Sequence, residues 1–228
     1  MICNLSSDLP QFESELNLSE CGIWIDPIDG TAEYIHAKEY TTIYPKIPKS
    51  GLKCATVLIG LYSKETKLPL IGVINQPFHT LDETSEEYEG KIFWGLSIND
   101  LKQHNIEAND RNPEDKLAII SFAEEKRAVL QSLGYKTVAS AGAGHKILKV
   151  IEGDVNLYFL SKGSTYKWDT CAGQAILQAI GGGVINLRES MTQNKIVDLS
   201  YGEDENNCNV GGLVAFRSQQ DVAQFNVK

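Results

Sequence analysis

This sequence lacks the features that mark several large classes of protein. It has no basic run, and its 21 lysines and arginines stand against 30 acidic residues, for a net charge of −9. That balance argues against nucleic-acid and membrane-surface partners. No apolar run approaches the ~18 residues of a membrane span, and the acidic start, MICNLSSDLPQFESEL, has no signal-peptide core. We therefore expect a cytoplasmic protein.

Cysteine and histidine are too few and too scattered to build a scaffold. The four histidines lack the spacing of metal ligands, and the five cysteines are odd in number and without close pairs: Cys3, Cys21, Cys54, Cys171 and Cys208. Reduced thiols account for them more simply than a disulfide framework or a zinc cluster. The 42% hydrophobic and 22% charged content of the 228 residues is typical of a soluble globular protein.

The most informative stretch is WIDPIDGT, residues 24–31. The apolar run Gly22–Ile25 predicts a short buried strand with Asp26 at its end. Pro27 has no N–H to donate, so we expect it to end the strand.

The second half of that stretch predicts a turn into a helix. Gly30 permits the turn, and residues 29–38 predict a helix with Asp29 or Thr31 near its N-cap. Asp26 and Asp29 then offer oxygen ligands of the kind that Mg²⁺ prefers, beside a helix N-terminus that favours an anion such as phosphate. A turn capped by two aspartates, without metal, is the alternative.

The remaining sequence predicts two β-rich halves. In the first, we expect an antiparallel sheet with strands 54–62, 68–75 and 91–97, the second of which ends at Gln76-Pro77. We also expect a loop over 41–51, an exposed acidic segment over 79–90 and a connection over 98–115. In the second, strands alternate with helices, which predicts a sheet covered by helices. The strands are 116–122, 137–140, 155–160, 184–187 and 213–216, and the helices are 124–133, 142–151, 168–180 and 219–227.

Two motifs carry a resemblance to a known family. WIDPIDGT resembles the metal-binding motif of the inositol monophosphatase superfamily of Mg²⁺-dependent, lithium-sensitive phosphatases. WDTCA (168–172), followed by AILQAIGGGV, resembles the other signature of that superfamily. Within it, segments 51–78, 93–97, 141–146 and 165–172 are most similar to the inositol polyphosphate 1-phosphatases.

The resemblance implies an α/β (α+β) fold. It would be a layered α-β-α-β-α sandwich of the inositol monophosphatase/fructose-1,6-bisphosphatase type, with the site between its halves. We expect an acidic leader (1–21), a first half with the metal motif (22–115) and a second half (116–228), which together form one catalytic unit.

The resemblance also implies an activity and a set of site residues. We expect a phosphomonoesterase that removes the 1-phosphate from inositol 1,4-bisphosphate and inositol 1,3,4-trisphosphate through metal-activated water. It would use two or three Mg²⁺ ions and be inhibited by Li⁺. We expect it to be a monomer whose partners are these small-molecule substrates. The implied metal ligands are Asp26, the Ile28 carbonyl, Asp29 and Asp169; the catalytic residues are Asp29 and Thr31; the substrate-binding residues are Asp29, Gly30, Thr31, Gly142, Ala143, Lys146 and Ser164.

Some of these residues have simpler interpretations. Asp169 and Thr31 also suit helix caps, and Lys146 also suits a solvated lysine. Trp24 and Trp168 are expected to pack in the core, and Cys171 to be a small buried residue, not a nucleophile.

Two departures from the family pattern leave alternatives open. No Gly-Glu-Glu-type segment, which would supply further carboxylates, precedes WIDPIDGT, so we expect an N-terminally truncated chain. Where the 1-phosphatases present a serine and a lysine, this chain has FAEEK (122–126), with Lys126 or Arg127 as substitutes in a shifted register. The alternatives are a related phosphatase of inositol monophosphate or adenosine 3′,5′-bisphosphate, and a weak or inactive form.

Overall fold

An antiparallel sheet takes up most of the first half of the chain. The computed structural model describes residues 16–107 and 115–226. The strands are β1 (Cys21–Asp29), β4 (Thr56–Ser63), β5 (Pro69–Asp82), β6 (Glu87–Ile98) and β7 (Leu101–His104). They stand in the order β1-β4-β5-β6-β7. β2 (Tyr40–Thr41) and β3 (Pro48–Ser50) form a separate two-stranded sheet. Apart from Tyr40, both strands lie in the region predicted as a loop, residues 41–51.

The prediction that Pro27 ends β1 is wrong. The strand continues to Asp29 through a bulge that separates the pairs Asp26–Leu58 and Asp29–Thr56. A bulge tolerates a residue without an N–H, because its extra residue makes no ladder hydrogen bond. The bulge therefore keeps both motif aspartates on the strand.

Two other predictions for this sheet are also wrong: the end of its second predicted strand and the connection over 98–115. β5 does not stop at Gln76-Pro77 but resumes pairing with β6 after an irregularity and runs to Asp82. Residues 79–90, predicted only as an exposed acidic segment, are largely exposed and form a hairpin from the extension of β5 and the start of β6. The predicted connection over 98–115 contains β7, which pairs with β6, and residues 108–114 lie outside the described part of the chain.

A second, mixed sheet forms from the second half. Its strands are β8 (Leu117–Ile120), β9 (Lys136–Ala139), β10 (Leu157–Leu160), β11 (Gly183–Asn186) and β12 (Leu213–Phe216), in the order β11-β12-β10-β8-β9. β8 is parallel to both β9 and β10, whereas β12 is antiparallel to β10 and β11. Most of these residues are buried, as expected when helices cover both faces.

Helices cover the second sheet on both faces. They are α2 (Arg127–Ser132), α3 (Ala143–Ile151), α4 (Lys167–Ala179), α5 (Leu187–Gln193) and α6 (Gln219–Asn226). The remaining helix, α1 (Thr31–His36), follows β1 and contacts residues 52–54 before β4. α3 and α4 pack against each other between the two sheets, while α2, α5 and α6 pack against the second sheet. The layers sheet, helices, sheet, helices confirm an α/β sandwich and correspond to four of the five layers that were expected. α5 was not predicted, because its polar sequence LRESMTQ lacks an apolar period.

A row of glycines brings α4 close to the first sheet. Gly60, Gly72 and Gly95 lie opposite one another on β4, β5 and β6. A Cβ on Gly72 would lie 2.0 Å from the carbonyl oxygen of Ala172 on α4, so only glycine allows this approach. The close contact sets the first turn of α4 beside β1.

The opposite face of the first sheet is apolar and partly exposed. Ile23 and Ile25 alternate with the inward-facing Trp24 and are 54% and 52% exposed. Among the described residues, the helices in extensive contact with this sheet are α3 and α4, both in the central layer. The outermost helical layer of the expected sandwich is therefore not formed by the described residues, and residues 1–15 of the predicted leader lie outside them. No described helix is long and apolar enough to span a membrane.

Candidate metal centre and active site

The bulge in β1 presents two carboxylates at the end of the strand. The Asp26 carboxylate accepts a hydrogen bond from the Ile28 N–H at 3.1 Å, which closes a short turn around Pro27. Asp29 is the last residue of the strand and is buried. The two side chains are therefore held differently, although they belong to one motif.

Asp29 is held by groups from other parts of the chain. Its Oδ2 accepts the Gly144 N–H at 2.8 Å and the Thr56 hydroxyl at 3.3 Å, and its Oδ1 accepts the Ala143 N–H at 3.3 Å. Ala143 and Gly144 open α3, so the carboxylate lies at a helix N-terminus, where negative charge is stabilised. Burial raises the pKa of Asp29, while the Lys146 charge and these N–H groups oppose that rise.

Asp169 is held within its own helix. It lies in the first turn of α4, as predicted, and its Oδ2 accepts the Tyr166 N–H at 2.7 Å. This bond satisfies one of the free N–H groups at the helix start. Burial first, and then the charges of Asp29 and Asp26, raise the pKa of Asp169 to about 7.

The three aspartates meet in one cluster. One carboxylate oxygen from each of Asp26, Asp29 and Asp169 lies within 4.8 Å of the other two. Burial first, and then repulsion from Asp29 and Asp26, raises the pKa of Asp169, so a nearby positive charge would favour its ionised form. A set of hard oxygen donors suits a hard divalent cation. The residues present therefore fit a metal ion, and the sequence prediction that distant motifs converge is confirmed for these three side chains.

Comparison with known proteins places these motifs in a family. Residues 5–215 match the model described as the inositol monophosphatase family. The chain belongs to the inositol monophosphatase family. Over 246 aligned positions it is 35% identical to human inositol polyphosphate 1-phosphatase, covering 93% of this chain and 62% of that protein. Over 220 positions it is 30% identical to human 3′(2′),5′-bisphosphate nucleotidase 1, covering 92% and 62%. The chain thus spans about three fifths of the length of these curated relatives.

Solved structures show the same fold. An inositol monophosphatase from Anabaena (Nostoc) sp. aligns with a TM-score of 0.59 over 91% of this chain and 70% of its own, at 21% identity. The layered sandwich described above is therefore the fold of the inositol monophosphatase family.

In this family member, the helix after WIDPIDGT begins later than predicted. α1 runs from Thr31 to His36, and Asp29 and Thr31 adjoin its N-cap, which confirms the prediction that they lie near it. The N-cap is Gly30, at φ +75°, and a Cβ there would lie 2.9 Å from the Cys54 carbonyl oxygen. The Thr31 hydroxyl donates to the Ile28 carbonyl at 2.8 Å. Whether Ile28 also ligates a metal, and whether the Gly30 and Thr31 N–H groups bind phosphate, stay predictions.

The glycine-rich turn before α3 lies against the cluster. Gly142 is the N-cap of α3, at φ +72°, and its Cα approaches Asp29 and the Cys54 carbonyl so closely that a Cβ would be 2.5 Å from the latter. Ala143, which the resemblance implies as a substrate-binding residue, donates its N–H to Asp29. Lys146 is buried, and its Nζ donates to the carbonyls of Gly142 and Ser140. It is therefore not a solvated surface lysine.

Ser164 lies apart from these contacts. It is exposed in the loop between β10 and α4, and its N–H donates to the Lys162 carbonyl at 3.0 Å. Within the described residues, no hydrogen bond joins it to the carboxylate cluster. Its role toward the substrate of an inositol monophosphatase stays a prediction.

Trp24 and Cys171 behave as expected, whereas Trp168 is half-buried and stacks on the ring of Tyr166. Trp24 and Trp168 pack with their ring centroids 5.9 Å apart, and the indole of Trp24 donates to the Tyr201 carbonyl. Cys171 is fully buried and its pKa is raised by burial, which leaves a poor nucleophile.

Three contributors to the site were missed in the sequence. Thr56 faces Asp29 across the β1–β4 ladder, a pairing that only the bulge produces. Gly144 and Tyr166 act through backbone N–H groups, which every residue except proline has. The nearest signal was the glycine-rich turn, which the family resemblance linked to the substrate and not to Asp29.

Proposed function

We propose that this chain is a Mg²⁺-dependent, Li⁺-inhibited phosphomonoesterase. It would remove the 1-phosphate from inositol 1,4-bisphosphate and inositol 1,3,4-trisphosphate, as a cytoplasmic monomer without nucleic-acid or membrane partners. The observation that carries the proposal is the convergence of Asp26, Asp29 and Asp169 into one cluster. The 35% identity to human inositol polyphosphate 1-phosphatase supports the substrate class.

Asp26, Asp29, Asp169 and the Ile28 carbonyl would hold two or three Mg²⁺ ions in this proposal. When bound, the ions neutralise phosphate charge and lower the pKa of water. The need for them follows from charge: a net −9 protein with a triad of carboxylates repels a phosphate dianion unless local positive charge is present.

The surrounding residues would bind and orient the reactants. The Thr31 hydroxyl already donates its proton to the Ile28 carbonyl, so its lone pairs remain to accept a hydrogen bond from the attacking water. The N–H groups of Gly30 and Thr31 would bind phosphate oxygens. Gly142, Ala143 and Ser164 would border the inositol ring.

A second candidate substrate is a nucleoside 3′,5′-bisphosphate. The 30% identity to human 3′(2′),5′-bisphosphate nucleotidase 1 favours it. Such a substrate has the same phosphomonoester bond, so the carboxylate cluster would serve both reactions. The difference lies in the group that occupies the space beside Gly142 and Ser164.

The test is phosphate release by this chain, with and without Mg²⁺ and then with added Li⁺. Inositol 1,4-bisphosphate, inositol 1-phosphate and adenosine 3′,5′-bisphosphate are compared at equal concentration. We expect Mg²⁺-dependent, Li⁺-sensitive release that is fastest with inositol 1,4-bisphosphate. Faster release from the nucleotide would favour the second candidate. No release from a demonstrably folded chain would reject both and indicate a non-catalytic form.

A further inference from the structure

A buried lysine of α3 closes the turn that begins this helix. Lys146 is only 5% exposed, and its Nζ donates to the Gly142 carbonyl at 2.7 Å and to the Ser140 carbonyl at 3.3 Å. The ring of Tyr158 lies 5.2 Å from the same atom, on the scale of a cation–π contact. The ammonium group is thus directed at two backbone carbonyls and an aromatic face.

The same turn holds Asp29. The N–H groups of Ala143 and Gly144, directly after Gly142, donate to the two oxygens of that carboxylate. The other end of the turn is anchored by the Ser140 hydroxyl, which donates to the Pro48 carbonyl at 2.6 Å. Lys146 therefore links Ser140 and Gly142, the two ends of the turn that directly precedes the N–H groups bound to Asp29.

We propose that Lys146 is a positioning residue for a hard divalent cation at the carboxylate cluster. Its hydrogen bonds fix the turn from Ser140 to Gly142, and the fixed turn orients Asp29. Removing the donor takes one hydrogen bond from the buried Ser140 carbonyl and one from the partly buried Gly142 carbonyl, which weakens the turn. This role differs from the phosphate contact that the family resemblance implies for Lys146. The expected effect on turnover rests on the proposed function, whereas the expected effect on cation binding does not.

Two neutral variants separate the hydrogen bonds of Lys146 from its charge. Lys146→Met keeps the apolar stem and has no donor, whereas Lys146→Gln keeps an N–H₂ donor. Both lack the charge, so any electrostatic effect on cation binding is the same in each. The matched control is Lys149→Met on the same helix, because Lys149 is equally buried but pairs with Glu152 and Asp154.

Cation binding is measured with Mn²⁺ alone, by loss of the free-ion electron paramagnetic resonance signal. We expect Lys146→Met to bind Mn²⁺ ~10-fold more weakly than Lys146→Gln, within the range typical of groups that orient metal ligands. Lys149→Met should lose thermal stability but bind Mn²⁺ like the parent protein. Equal Mn²⁺ affinity in the Met and Gln variants would overturn the proposal. If the Met variant does not fold, a ~10-fold loss of affinity in Lys146→Gln relative to the parent would overturn it.

Turnover gives an independent readout. For a positioning residue, kcat falls further in Lys146→Met than in Lys146→Gln, while KM for inositol 1,4-bisphosphate is the same in both. A phosphate ligand would instead raise KM equally in both and leave Mn²⁺ binding unchanged, which overturns the proposal. If the parent protein releases no phosphate, the proposed function fails, and the Mn²⁺ comparison still decides the role of Lys146.

Discussion

Asp29 and Asp169 reach the same cluster by different routes. Asp29 stands at a strand end and takes its hydrogen bonds from α3 and β4, which lie far along the chain. Asp169 takes its bond from the Tyr166 N–H, three residues away in its own helix. The first orientation therefore depends on how α3 docks against the first sheet, whereas the second forms with the helix itself.

The electrostatic surroundings differ in the same way. Burial raises the pKa of both groups, but Lys146 and two N–H groups oppose the rise at Asp29. The Asp26 charge adds to the rise at both groups. At Asp169 the Tyr166 N–H opposes the rise, the Asp29 charge adds to it, and the pKa reaches about 7. Asp29 thus has the Lys146 charge as its main opposing influence, whereas at Asp169 the main opposing influence is a backbone N–H.

The largest expected effect is loss of turnover in Asp29→Asn and in Asp169→Asn. Each change removes one negative oxygen from the cluster while keeping the side-chain shape. Turnover should fall by more than the ~10–100-fold that follows loss of an outer partner, as measured by phosphate release. Asp198→Asn, beside Gly181 and Gly182 at the other end of α4, is the control. Near-parent turnover in either cluster variant would contradict the site.

Gly144→Ala should disturb Asp29 and leave Asp169 in place. The added Cβ would lie 2.7 Å from the Thr56 hydroxyl and 2.8 Å from Leu58, which pushes α3 away from β4. We expect Mn²⁺ affinity to fall ~10-fold. Gly173→Ala, whose Cβ would meet Ile147 at 2.4 Å, is the matched control. It should cost ~1–3 kcal/mol of stability through overpacking without weakening Mn²⁺ binding. Equal Mn²⁺ affinities in Gly144→Ala and Gly173→Ala would contradict the claim that the orientation of Asp29 depends on how α3 docks against β4.

Thr56→Val should weaken cation binding less. It removes one hydroxyl donor from Asp29, a bond worth ~1 kcal/mol, or about fivefold in Mn²⁺ affinity. Thr170→Val, in the first turn of α4, is the counterpart beside Asp169. Because Asp169 is held by a backbone N–H, this variant should lose stability, measured by thermal denaturation, and keep its Mn²⁺ affinity. A larger loss of affinity in Thr170→Val than in Thr56→Val would reverse the comparison.

The smallest expected effect is a pH-dependent shift in melting temperature. A carboxyl whose pKa is raised in the folded state loses stabilisation as pH rises from its unfolded value, near 3.8, to about 7. Without a divalent cation, the contribution of Asp169 therefore declines over that window. Added Mg²⁺ should raise Tm more at pH 8 than at pH 5.5, because the ion must displace the proton at the lower pH. Differential scanning calorimetry with and without chelator measures both, and a larger Mg²⁺ shift at pH 5.5 would contradict the assignment.

Much of the fold was predictable where the hydrophobic pattern is strong. β12 has the predicted bounds, 213–216, and α3 and α4 each lie within a residue of the predicted bounds. These elements are buried, so their apolar spacing is dictated by their neighbours. The bulge at Pro27 and the late end of β5 were not predictable, because proline stops a regular strand but is accepted where pairing is already irregular.

The sequence by itself determined the family of this protein and the motifs that carry its carboxylates, and it predicted which of these carboxylates bind a cation. Only the tertiary structure decided how those groups are held. The register of β1 and β4 brings the Thr56 hydroxyl to Asp29. The docking of α3 brings its N–H groups and the ammonium group of Lys146 to the same side of the cluster. The physical reason is that backbone hydrogen bonds and helix–sheet approach are set by the packing of distant segments, and residue identity alone does not specify them.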